Sequence, residues 1–461
     1  MQEKVSAKKV CAVLAAAFMS FVGILTETSL NVTFPTLMKQ FGVSLDVIQW
    51  ITTGYLLMIA IIMLSSSYQN TRFSAKQLFS AACISFIVGS LISAFSTSFS
   101  IMLIGRLISA FGAGLSTPLM FNLIVEIMPR QKWGFYMGIA GLVIAMAPTL
   151  GPAFGGAITY YLSWKWIFIS VSIFALIVFI FGILNIQKYH EVKKSSLDWM
   201  SYIVLSLALI SLVIGLNQIS KGFRNPVLWI LLISAIILFV LYGYLSKKSD
   251  KKLLDLAVFK QKAFIYGALA YFLLQFVNIG ASFVLPNYAQ IVGHQTSLIG
   301  GLILLPGSIV SGLLNPYFGN LYDRVGAKIP LYIGASLITL SCLLFAIWGM
   351  NLKIWMIIVI YTLLTLGHRM SFSNTMAEAL KIQPGQLHAD ATAVCQTSQQ
   401  LAGSLGTTIL AAIIAISQNK GGASYSFLTA QGSQWAFYFT FILGILILVC
   451  DRRMLSLEKN K

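Results

Sequence analysis

Long apolar runs separated by short polar loops occupy the chain from end to end. A helix needs roughly 20 apolar residues to cross a bilayer. Fourteen segments meet that length: 10–34, 46–67, 77–97, 100–125, 135–161, 164–187, 199–218, 227–246, 263–288, 297–318, 329–350, 353–377, 391–416 and 433–451. Two carry interruptions, Pro148 and Pro152 in 135–161 and a Gln-, Ser-, Thr- and Gly-rich stretch in 391–416. The basic N-terminus precedes a run that reaches Phe34, too long for the apolar part of a cleaved signal peptide, so a retained first helix is expected. The pattern predicts an all-α polytopic membrane protein with lipid as its solvent.

Composition agrees: 58% of the residues are hydrophobic and 10% charged, where a soluble domain carries about 25% charged residues. The balance is basic, with 31 Lys and Arg against 13 Asp and Glu. In a soluble protein that excess would suggest nucleic acid. Here the cations sit in short loops, where they orient helices, and no nucleic-acid partner is expected. With both termini cytoplasmic, the inner loops hold 24 basic residues and the outer loops 6 (Lys39, Lys165, Lys221, Arg224, Lys353 and Lys420), leaving Arg106 inside a span. One missed span would reverse every later loop and erase this bias, so it supports the number of spans together with their orientation. The five cysteines form no CxxC pair, and neither a metal site nor a disulfide is expected.

An internal repeat divides the chain. Arg72-Phe73-Ser74-Ala75-Lys76 follows the second span and Arg324-Val325-Gly326-Ala327-Lys328 follows the tenth. The expected organisation is a six-helix half over 1–187, a linker with inserted helices 7 and 8 over 188–262, and a second six-helix half over 263–461.

Several segments resemble the major facilitator superfamily. Gly319-Asn320-Leu321-Tyr322-Asp323-Arg324-Val325-Gly326-Ala327-Lys328 is similar to its loop signature G-x-L-x-D-R-x-G-x-K, and Gly105-Arg106-Leu107 through Gly112-Ala113-Gly114 resembles its proton-linked Arg motif. The stretch from Gly138 to Gly156 looks like the antiporter motif, with Pro148, Gly151, Pro152 and Gly155 as its bending and close-packing positions. Leu25 to Pro35 resembles the first-helix motif of the fourteen-span drug:proton antiporters, nearest to the lincomycin-resistance-type branch of Gram-positive bacteria. The resemblance implies a major facilitator fold in a bacterial plasma membrane, a proton as coupling ion, no other cofactor, and a monomer moving a small molecule. The sequence departs from the pattern at Thr71, where the first-half loop signature has Asp, and at Ala391, where Gly is usual.

Among thirteen acids, Glu27 stands out as well inside a span, the others lying in loops or near span ends. Burying an ionised carboxylate costs several kcal/mol, so such a group stays protonated until water, a cation or a partner reaches it. Glu27 is the expected proton carrier; a neutral Glu bonded to a neighbouring helix is the alternative. Gly23, Glu27 and Asn31 share one helix face, where Asn31 serves substrate, the carboxylate or helix association. Arg106 either polarises the cavity and modulates proton binding or clamps backbone carbonyls. His368 and Arg369 interrupt the twelfth span as an inner gate, or Arg369 snorkels. Gln275 and Asn278, with Gln396, Gln399 and Gln400, line a central cavity with Tyr55, Tyr271 and Phe276, or join helices by hydrogen bonds. Asp323 and Arg324 are expected to form a cytoplasmic charge lock, with Arg72 in the first-half counterpart.

No nucleotide-binding loop, HExxH or Ser/His/Asp set is present, which argues against an ATP-driven pump or an enzyme. The expected activity is proton-coupled export of lipophilic or cationic drugs by alternating access. Export or flipping of an endogenous lipid or metabolite is the alternative on the same fold, and a membrane sensor is the alternative from another class.

Overall fold

The computed structural model describes residues 6–129, 132–187, 196–249 and 253–459. Of the basic residues counted above, Lys4, Arg130, Lys188, Lys193, Lys194, Lys251, Lys252 and Lys461 lie outside these segments, as does the start of the 188–262 linker. Fourteen helices long and apolar enough to cross a membrane account for the predicted segments in order. They are α1 (Ala7–Leu30), α2 (Leu45–Leu64), α3 (Ala75–Ala94), α4 (Phe99–Ile127), α5 (Phe135–Tyr161), α6 (Lys165–Asn185) and α7 (Trp199–Lys221). After these come α8 (Pro226–Lys248), α9 (Lys262–Ile291), α10 (Ser297–Val325), α11 (Lys328–Trp348), α12 (Ile354–Lys381), α13 (Gly385–Gln418) and α14 (Tyr425–Glu458). No strand occurs among the described residues. In hydrocarbon every backbone group needs a partner within the protein, and apolar runs of about 20 residues meet that need as helices.

Boundaries differ where backbone chemistry intervenes. The first run ends at Leu30 rather than Phe34, because the chain turns and restarts as a short helix, Phe34–Phe41, with Pro35 in its first turn. α10 is broken after Leu302 and restarts at Leu305, where Pro306 has no amide hydrogen to continue the ladder. The prolines of α5 do not break it: helix runs unbroken from Trp133 to Tyr161. α12 likewise passes through His368 and Arg369 without interruption, which removes Arg369 from the loop cations.

An even number of crossings puts the start of α1 and the end of α14 at one face, the terminal face; the opposite one is the distal face. The packing repeats eight helices on. α1 packs on α4, α5 and α6, α2 on α4, and α3 on α4 and α6. Correspondingly, α9 packs on α12, α13 and α14, α10 on α12, and α11 on α12 and α14. Two six-helix halves therefore share one plan, and α7 and α8 pair with each other outside it.

The tightest crossings repeat as well. A Cβ added at Gly89 of α3 would sit 2.5 Å from the Gly105 carbonyl oxygen of α4, and one at Gly105 would sit 2.7 Å from that of Gly89. At Gly367 of α12 it would sit 2.5 Å from the Gly334 carbonyl oxygen of α11, and at Gly334 2.7 Å from that of Gly367. Lipid tails are as apolar as leucine, so no hydrophobic force drives helices together there, and close backbone approach supplies the attraction.

Gly105→Val and Gly367→Val are each expected to destabilise the protein by about 1–3 kcal/mol through overpacking. Gly138→Val, where an added Cβ meets nothing within 4 Å, is expected to be neutral. Thermal melting of the purified chain in detergent separates the three.

Candidate functional site

The interior of the first half holds a carboxylate and a guanidinium on facing helices. Glu27 lies on α1 and is 5% exposed, while Arg106 lies on α4 and is fully buried. Arg106 donates from Nε to the Ile51 carbonyl of α2 (3.2 Å), and its guanidinium carbon sits 3.7 Å above the centroid of the Tyr55 ring. The Tyr55 hydroxyl in turn donates to the Gly23 carbonyl one turn before Glu27 (3.0 Å). Gly23 lets α1 reach α4, since an added Cβ would lie 2.9 Å from that of Ala113. Glu27 and Arg106 interact electrostatically yet form no ion pair, and among the described residues Nη1 and Nη2 of Arg106 have no hydrogen-bond partner. A fully buried cation held by a ring face and one carbonyl keeps most of its donors free for a ligand or for Glu27. Tyr55, expected to line a cavity, is completely buried as the plate beneath Arg106.

Asn31, one turn past Glu27, accepts from Thr52 of α2 at Oδ1 (3.0 Å), while its carbonyl accepts from Asn287 of α9 (3.2 Å). It belongs to a layer that joins the two halves toward the distal face. In that layer Gln290 donates to the Val32 carbonyl (2.8 Å). Thr53 of α2 meets the hydroxyls of Thr407 (2.8 Å) and Thr408 (3.1 Å) of α13, and Ser404 donates to the Thr53 carbonyl (3.2 Å). α5 joins the layer through its glycines. Cβ atoms at Gly151 and Gly155 would fall on Thr28 and on the Ser29 backbone of α1, and Gly156 lies against the Ser297 carbonyl of α10. The Pro152 carbonyl presses on Gly301 of α10, and Pro148 lies one turn nearer the terminal face.

The second half carries an aromatic column. The His368 ring stacks on Phe372 (centroids 4.7 Å apart), Phe372 stacks on Tyr271 (4.1 Å), and the Tyr271 hydroxyl donates to Gln399 (2.8 Å). Nε2 of His368 is buried with no hydrogen-bond partner among the described residues. Three expected cavity residues, Tyr271, His368 and Gln399, are thus joined through Phe372, which no motif singled out. Arg369 is partly exposed and has no hydrogen-bond or ion-pair partner among the described residues. Gln396 and Asn278 are partly exposed and Gln275 is buried. Phe276 does not join the column; it packs against Phe272 and Phe439 of α14, because it projects from the opposite side of α9.

At the terminal face the expected Asp323–Arg324 lock is not formed. Both side chains are exposed on the last turn of α10, and Arg72 is exposed at the end of the short helix Ser66–Arg72. The charged cluster formed instead is Tyr322, Glu378 and Lys381: the Tyr322 hydroxyl bonds Glu378, Lys381 bonds Tyr322, and Lys381 pairs with Glu378 at 3.3 Å. Glu378 is 6% exposed and Asp451 of α14 is 0% exposed, with neither carboxylate oxygen hydrogen-bonded among the described residues. Glu27 is therefore not the sole enclosed acid. Asp451 adjoins Arg452 and Arg453, which reads as a helix end, but α14 continues for two more turns.

The family described as the Major Facilitator Superfamily matches residues 16–407. The lincomycin resistance protein LmrB of Bacillus subtilis (strain 168) is 32% identical over 441 residues, covering 93% of this chain and 92% of its own. The riboflavin transporter RibZ of Clostridioides difficile (strain 630) is 24% identical, covering 93% and 94%. Among solved structures, a bacterial homologue of the human lysosomal transporter Spinster superposes with a TM-score of 0.72 at 12% identity, over 98% of this chain and 99% of that one.

Thr53→Val removes the hydroxyl shared with Thr407 and Thr408 and is expected to weaken the distal layer by about 1 kcal/mol. A cysteine placed at Gln290 should then react several-fold faster with a membrane-impermeant maleimide than it does without Thr53→Val.

Proposed function

The chain belongs to the major facilitator superfamily and is a membrane transporter rather than an enzyme, and on that premise we propose that it is a proton-coupled antiporter that exports lipophilic or cationic drugs. The loop-charge bias supports a cytoplasmic terminal face in a bacterial plasma membrane. The halves, bonded toward the distal face, then represent the inward-facing state of alternating access. Similarity to lincomycin resistance proteins supports a drug as cargo.

The observation that carries the coupling is the enclosed but unpaired Glu27 and Arg106. A carboxylate in that position alternates between a proton and a cationic substrate, and the nearby guanidinium lowers the cost of the ionised form. Tyr55 holds Arg106 off Glu27 by the ring contact, so the carboxylate stays free to exchange. In this reading the column of His368, Phe372 and Tyr271, with Gln399, offers flat faces and polar ends to a drug-sized molecule. The likeness to a riboflavin transporter favours a second reading, export of a planar metabolite by the same machinery.

Substrate-triggered proton release from proteoliposomes tests the coupling across a chemically diverse panel. Glu27→Gln is expected to abolish release and to return drug tolerance of expressing cells to background, while Glu27→Asp retains part of both. Normal transport with an intact pH dependence in Glu27→Gln would overturn the assignment. Tyr55→Leu, which removes the plate beneath Arg106, is expected to alter the pH profile of transport more than its substrate affinity.

A further inference from the structure

A cavity of about 490 Å³ lies at the distal face, where the two halves meet. The first half walls it with Pro35, Thr36, Lys39 and Gln40 of the short helix Phe34–Phe41. The second half supplies Gln290 near the end of α9, Gln295 in the turn that follows, and Ser297 at the start of α10. The volume is that of a small-molecule site, roughly 300–1,000 Å³, but such sites are mostly apolar. Among the described residues, no aromatic ring and no carboxylate lines this one.

The lining groups are held by bonds that leave part of their capacity unused. Gln40 accepts from Trp164 at its Oε1 (2.6 Å) and keeps its amide donors. Gln290 spends its Nε2 on the Val32 and Pro286 carbonyls (2.8 and 3.2 Å) and keeps its Oε1. Gln295 uses Nε2 on the Gly293 carbonyl (2.7 Å), and Ser297 donates to the Gly156 carbonyl of α5 (3.3 Å). Lys39 forms no ion pair among the described residues. The turn presenting Gln295 is strained, with His294 at φ 49° in the left-handed region that favours glycine.

Charge narrows the ligand. With the terminal face cytoplasmic, the outer loops hold six basic residues, and two of them stand here. Lys39 lines the cavity, and the Lys165 ammonium lies 5.8 Å from the centroid of the Trp164 ring that holds Gln40. Ammonium, amide and hydroxyl groups without a carboxylate suit an anion that also carries hydroxyls.

The cavity exists through the joining of the halves. Gln290 and Ser297 each bond a carbonyl of the first half, so parting the halves at the distal face pulls the walls apart. A ligand touching both walls favours the joined state by its differential affinity.

We propose that this cavity is an external inhibitory site for small hydroxyl-rich monoanions of the uronate type, which hold the distal face shut and slow transport. The inference rests on the export reading and adds a regulatory ligand to it.

The probe is glucuronate, compared with glucose, which lacks the charge, and methanesulfonate, which lacks the hydroxyls. Each is loaded into inside-out vesicles carrying the full-length chain, whose distal face lines the lumen, and energised lincomycin uptake is followed. Glucuronate is expected to lower the maximal rate several-fold at unchanged KM, and the two comparison compounds to have no effect. Lys39→Gln should transport as wild type does and need about tenfold more glucuronate for half-inhibition. In a readout without transport, glucuronate should raise the melting temperature of the purified chain in detergent, and less so in Lys39→Gln. The proposal is overturned if glucuronate leaves the melting temperature unchanged, if Lys39→Gln responds as wild type does, or if either comparison compound matches glucuronate. It is also overturned if glucuronate is itself carried out of the lumen, which would make the cavity a stretch of the transport path. A Lys39-dependent melting shift in a chain that moves no drug would sink the export reading and leave the site standing.

Discussion

Inside a bilayer, water no longer drives apolar surfaces together, and helices cohere only where their backbones approach closely enough for dispersion and polar contacts to act. In this protein that approach is made at glycine. Gly89 with Gly105, and Gly334 with Gly367, place carbonyl oxygens where a side chain would otherwise stand. The same six helix pairings recur in each half around these crossings. Everything polar in the interior depends on them, because a wider separation would admit lipid to groups that lipid cannot solvate.

On that shared plan the two halves carry different chemistry. The first half encloses charge, with Arg106 resting on Tyr55 and bonded to a carbonyl and Glu27 beside it without a salt bridge. Opposite charges enclosed near one another each lower the cost of burying the other even without touching. The second half presents aromatic faces, His368 on Phe372 on Tyr271, whose polar ends reach Gln399 and an unpartnered imidazole nitrogen. Enclosed charge and stacked aromatic faces thus fall to opposite halves.

They meet through a layer of hydroxyls and amides toward the distal face rather than through a greasy plug. Across the halves Thr53 bonds Thr407, Thr408 and Ser404, Asn287 bonds the Asn31 carbonyl, and Gln290 bonds the Val32 carbonyl. Such groups exchange protein partners for water at small net cost, about 1 kcal/mol per bond, so the halves are joined by individually weak bonds. The inserted pair α7 and α8 breaks the symmetry of this arrangement, with α7 packed on both α2 and α13.

How much of this could be read without coordinates follows from which forces act locally. Each run of apolar residues must form its own helix in lipid, so the fourteen spans, their order and the repeat across the inserted pair were present in the one-dimensional pattern. The enclosed Glu27 and Arg106 were readable too, since a charge far from any loop has nowhere else to go. Contacts were not. Nothing in the spacing of Tyr55 says that it underlies Arg106, that Phe372 joins His368 to Tyr271, or that Phe276 turns toward α14. Asp323 and Arg324 carried a strong loop pattern yet stand apart in solvent, while Glu378 and Asp451, resembling span-end acids, are enclosed. The linear pattern determines which residues enter the membrane, because transfer from water acts on each segment alone. Which of them touch depends on how helices far apart in sequence cross, and only the tertiary structure decides that.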